Sequence, residues 1–236
     1  MNYEFSENIF ANLTKNVFSP KKYTEIAEIM NEVLVKHYGS LKQVTFPIDI
    51  REIVKKNSIE IVSTNLNTDL GFRIDKVNGY LRPSKVNNEI QWRIYIEYDD
   101  CEFTKRYILA HEFSHFLLTV YGAECSAPPH GAAQYCVTPM IPKKETELLA
   151  DMMAAFLMFP CWLVLDEMKA YTEWMQRKNE YPMEASSLLR MLGNKAQISS
   201  YHTIICFQYV REYLCFLYSE KREDNKWLEN YECLFK

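Results

Sequence analysis

His111-Glu112-Phe113-Ser114-His115 is the stretch of this chain whose residue types and spacing can do chemistry. Residues four apart on an α-helix stand one above the other on the same face, so two imidazole nitrogens can be aimed at one point. That point suits a divalent metal ion, Zn2+ above all. Glu112 follows the first histidine and falls on the flank of the same face, where its carboxylate reaches a water on the metal without ligating the metal itself. The pattern therefore predicts two metal ligands, His111 and His115, and a general base, Glu112.

Catalytic zinc takes three protein ligands and keeps a fourth position open. Downstream, Glu147-Leu148-Leu149-Ala150-Asp151 begins a second apolar helical run that ends at Met158-Phe159-Pro160. Glu147 and Asp151 share a face by the same four-residue spacing. Glu147 is expected as the third ligand. Asp151, one turn further on, is expected to accept the remaining ring N–H of a ligating histidine, His111 for preference, and so fix its tautomer. Among groups that could steady the oxyanion of a hydrolytic reaction, or touch substrate, His130, His202 and several tyrosines stay open as candidates.

These motifs resemble a known arrangement. His-Glu-x-x-His followed by Glu-x-x-x-Asp is similar to the gluzincin set of zinc peptidases, and more closely to the ImmA/IrrE family of metallopeptidases. Members of that family read Arg-Phe-Thr-Leu-Ala-His-Glu-Leu-Gly-His, then Glu-x-x-Ala-Asn-x-Phe-Ala, then Leu-Leu-Met-Pro. The corresponding stretches here run from Arg106 to His115, from Glu147 to Ala154 and from Phe156 to Pro160, with Phe46-Pro47-Ile48-Asp49-Ile50 like the family's opening. Departures are Ser114 where glycine is common, Asp151 where asparagine is frequent, and Phe159 before Pro160. The resemblance implies a zinc-dependent endopeptidase that cuts one regulatory protein, such as a helix-turn-helix repressor, in a setting of mobile elements or stress responses. Two other readings use the same residues: an anti-repressor or binding module that holds its partner without cleaving it, and a purely structural zinc staple. The staple is disfavoured, because structural sites take four protein ligands and have no use for Glu112.

The elements that must position these groups are legible from periodicity. Residues 103–120 hold no glycine or proline, with Asp99 and Asp100 upstream as caps and Gly122 beyond as a stop, so one long helix is expected there. Ser19-Pro20 opens an amphipathic helix that runs to Gly39, with His37 on its apolar stripe as a packing residue. A short helix follows Pro47. The period then changes to two, and strands are expected over 59–62, 70–74, 79–82 and 89–97, making a small, mostly antiparallel sheet. The edge of such a sheet beside a metal-bearing helix could pair with an extended peptide. Residues 121–144, with four prolines, Cys125, His130 and Cys136, read as a long loop of the kind that covers active sites. Further helices are expected over 162–178, 183–192 and 201–217. The fold class is α+β: a sheet packed on a zinc-binding helix pair, with helical additions at both ends. The organisation expected is 1–45 as arm and helix, 46–165 as a zincin-like core, and 166–236 as a helical region packed on that core.

Composition narrows the function classes. A chain of 236 residues with 48% apolar content builds a sizeable core, and a net charge of −4 with acids and bases interspersed gives no footprint for wrapping nucleic acid or coating an anionic membrane. Residues 188–209 have a dim likeness to a helix-turn-helix, yet Lys195 is the only basic residue from 192 to 209. Packing on the core or a dimer contact suits that segment better than DNA readout. Acidic residues replace the basic start of a signal peptide, and the longest uncharged apolar run, 152–165, is too short to span a bilayer, so a cytoplasmic protein is expected. Seven scattered cysteines without a Cys-x-x-Cys pair predict reduced thiols.

Overall fold

The computed structural model describes residues 20–66, 79–86, 89–121, 143–178 and 185–219. The expected arm over 1–18, the strand over 70–74, the loop with Cys125, His130 and Cys136, and the charged tail from 220 onward lie outside them.

Helix α1, Pro20–Tyr38, buries Tyr23, Ile26, Met30, Val33 and Leu34 of the expected stripe and Ile29 beside it, with Ala27 and His37 partly exposed. It stops at Gly39, whose φ of 85° is the left-handed conformation glycine adopts without steric cost. The amide of Gly39 closes the last turn on the Val35 carbonyl at 2.7 Å. Helix α2, Ile50–Lys56, begins where the Asp49 carboxylate accepts the Glu52 amide at 3.2 Å, a capping contact worth about 1 kcal/mol.

Strands β1, Ile59–Thr64, β2, Gly79–Val86, and β3, Glu89–Glu97, form one sheet in the order β1-β3-β2. β2 and β3 are an antiparallel hairpin pair with Gly79 opposite Ile96, whereas β1 runs parallel to β3 with Ile59 opposite Trp92. The sheet is therefore mixed, not mostly antiparallel as the sequence suggested. The reason is topological: the chain leaves β1, crosses to the far edge to make β2, and turns back so that β3 fills the gap. Among the described residues β2 is an edge strand, and Pro83 sits within it, as proline does where no ladder amide is needed. Ile94 and Ile96 are buried, while Ile90 at the open end is 43% exposed, so the expected apolar alternation faces the core over only part of β3.

Helix α3, Glu102–Tyr121, is buried on nearly every side and is the element against which both the sheet and the following helix pack. Its N-cap is Cys101, whose carbonyl accepts the Thr104 and Lys105 amides at 2.9 and 3.0 Å, rather than Asp99 or Asp100. Helix α4, Lys143–Met158, is followed by a fully buried Phe159 that packs edge-on against Phe46 at 5.8 Å. Helices α5, Cys161–Lys178, α6, Ala185–Ala196, and α7, Ser200–Ser219, complete the chain, and one continuous core reaches from Tyr23 on α1 to Leu214 on α7. The result is α+β, with seven α-helices and three strands among the described residues. No single helix there is long and apolar enough to cross a membrane. Cys101, Cys161, Cys206 and Cys215 are free thiols.

Candidate metal centre

His111 and His115 stand one turn apart on α3, and Glu147 reaches them from the first turns of α4. Their donor atoms converge. His111 Nε2 lies 3.1 Å from His115 Nε2 and 3.3 Å from Glu147 Oε2, and His115 Nε2 lies 3.5 Å from the same oxygen. A tetrahedral ion with bonds of about 2.0–2.1 Å would need edges of about 3.3 Å between its donors. The three separations bracket that value, so these residues could hold a metal ion, and among the described residues no further histidine, cysteine or carboxylate joins the group.

Asp151 stands where the four-residue spacing put it. Its Oδ1 is 2.9 Å from His111 Nδ1, the geometry of a ring N–H donating to a carboxylate, so that loss of the other ring proton would leave the His111 Nε2 lone pair toward the cluster. The electrostatics ask for positive charge at this point. Burial works to lower the His111 pKa, but hydrogen bonds to Asp151 and Glu147 outweigh it and raise the value to about 10. The same two histidines hold the half-exposed Glu147 carboxyl well below its ordinary range. Two nitrogens and a carboxylate oxygen facing one point make a donor set suited to a cation.

Glu112 is not part of the cluster but lies beside it, with 8% of its surface exposed. Burial raises its pKa, and the neighbouring imidazoles and an amide hydrogen bond from Leu81 on β2 pull the other way. In an antiparallel strand, residues two apart send their amides to the same side. Leu81 turns its amide out to Glu112, and Pro83, two residues on, has none to send, so the free edge of β2 is the one facing the site. Gly79 lets that edge come close: a Cβ built there would lie 2.3 Å from Ile108 Cγ2 and 3.1 Å from Glu112 Oε1.

His202, on α7, is also brought near. Its ring stacks on Tyr107 with centroids 4.2 Å apart, and its Nδ1 lies 2.7 Å from Ser199 Oγ, so it belongs to the packing behind the cluster rather than to the donor set. His130 lies outside the described residues. A cavity of about 570 Å³ between the start of α3 and helices α6 and α7 is lined by none of the site residues.

Tyr107, Gly79 and the Leu81 amide went unread in the sequence. Tyr107 was within reach, since it precedes His111 by the same four residues that link His111 to His115. Gly79 opens a strand pattern, which is a sign of close backbone approach. Comparison with family models, curated proteins and solved structures gives no match for this chain. The likeness to ImmA/IrrE peptidases thus stands on its motif residues alone.

Proposed function

We propose that the chain is a zinc-dependent endopeptidase acting on a specific regulatory protein. The observation that carries this reading is the convergence of His111, His115 and Glu147 with Glu112 beside them and outside the donor set. Zinc in a three-ligand site supplies Lewis acidity toward a carbonyl and brings the pKa of water to about 7.

The chain's own residues would do the rest. Glu112, buried and raised in pKa, is suited to take a proton from the attacking water and return it to the leaving amine. Asp151 holds His111 in the tautomer whose Nε2 can donate. The outward edge of β2 offers its carbonyls to an extended peptide, which would lie across α3 beside Glu112, the Leu81 amide being engaged by Glu112 and Pro83 having none. A helix-turn-helix repressor as substrate follows from the resemblance and extends the proposal to the partner.

The test uses the purified chain, loaded with zinc, and any helix-turn-helix repressor that a neighbouring gene encodes. Cleavage is expected on a gel, should stop with chelator, and should fall by about 10²–10⁴-fold in Glu112→Gln while the zinc content stays at one per chain. Undiminished cleavage by Glu112→Gln would remove the general base. Stable binding of the repressor without cleavage, with zinc bound, would favour the anti-repressor reading.

A further inference from the structure

Resting on the metal-centre reading, we propose that Tyr107 is a positioning residue for the candidate site, holding Asp151 so that Asp151 can hold His111. The Tyr107 hydroxyl donates to Asp151 Oδ1 at 3.0 Å, and His111 Nδ1 meets that same oxygen at 2.9 Å. One carboxylate oxygen therefore receives two donors from two successive turns of α3. Asp151 needs this support, because its side chain is 33% exposed and would otherwise be free to turn toward water.

Tyr107 is fixed in its turn. It is 4% exposed, and its ring lies nearly parallel to that of His202, at 18° between planes. His202 is tied to Ser199, whose carbonyl accepts the Thr203 amide at 2.8 Å as α7 begins. The order of a donor nitrogen on α3 is thus set from α7 through a phenol and a carboxylate. Positions that touch a ligating histidine are the ones where small displacements reach the metal.

The experiment is a Co2+ titration of the full chain, reading both affinity and the visible absorption of the bound ion. Outer-shell partners in direct contact with a ligand are worth about 10–100-fold in metal affinity, so Tyr107→Phe, one bond further out, is expected to weaken Co2+ by about 3–10-fold and shift its bands. In an Asp151→Ala background the same substitution should cost nothing more. An unchanged affinity and spectrum for Tyr107→Phe overturns the assignment, and so does an equal loss in the Asp151→Ala background, which would make the effect independent of Asp151. Phenylalanine keeps the ring against His202, so the variant should melt with the unmutated chain in chelator. A variant that no longer folds would show Tyr107 to be structural and would also overturn the assignment. Failure of the unmutated chain to bind Co2+ is a separate result: it removes the metal centre itself, and Tyr107's role with it.

Discussion

His202 shows how much one buried side chain can tie up. It is 9% exposed, packed on Tyr107, and burial pushes its pKa down to about 4, with Asp151 opposing and His111 adding to the effect. In the unfolded chain the same imidazole titrates near its ordinary value of about 6.5. Between these two values the unfolded state binds the extra proton, so stability falls as pH falls through that window and is whole above it. The shift corresponds to at most about 3 kcal/mol, at about 1.4 kcal/mol per pH unit. His202→Phe keeps the stacking and cannot titrate. Urea denaturation in chelator at pH 7, 5.5 and 4 should therefore show the unmutated chain losing up to about 3 kcal/mol relative to the variant. Parallel losses would mean that His202 folds in its charged form.

At the scale of elements, the contact that matters is β2 lying on α3. Gly79 leaves no room for a methyl group, since its Cβ would sit 2.3 Å from Ile108 Cγ2. Gly79→Ala is expected to destabilise the chain by about 1–3 kcal/mol, the usual cost of overpacking, and to lower the proposed hydrolysis by lifting the Leu81 amide from Glu112. In an Ile108→Ala background the stability loss should shrink, and a strictly additive pair would show that the two residues do not meet. This contact also marks the limit of what the chain discloses unaided. Helix α3, expected over 103–120, is found at Glu102–Tyr121, because a stretch without glycine or proline has nothing to interrupt it. Strand β3 is found at its expected Glu89–Glu97, because Trp92, Ile94 and Ile96 alternate with polar neighbours. The four-residue spacings of His111 with His115 and of Glu147 with Asp151 likewise survive folding. What was not legible is whatever depends on two elements at once: the parallel pairing of β1 with β3, the approach of Gly79 to Ile108, and the Tyr107 hydroxyl finding a carboxylate on α4. Periodicity is local, and these contacts join residues about 30 to 45 positions apart.

For the whole molecule, the site sits where α3 and α4 meet, at the surface of one core that extends from Tyr23 to Leu214. A metal there crosslinks two helices that apolar packing already holds together, with Phe113, Phe116, Leu149 and Met153 all buried. Metal removal should therefore lower stability without unfolding the chain, unlike a small zinc domain that has no core of its own. An ion that binds only the folded state adds about 2.7 kcal/mol at a hundredfold excess over its dissociation constant. For a chain of this length about 1 kcal/mol moves the melting temperature by about 2–4 °C, so chelation should lower it by about 5–10 °C. Calorimetry should show one cooperative transition with and without metal, and His111→Ala or Glu147→Ala should abolish the difference between the two. Coincident melting curves for the loaded and chelated protein would place the ion elsewhere or nowhere, and loss of the transition on chelation would make the metal a condition of folding.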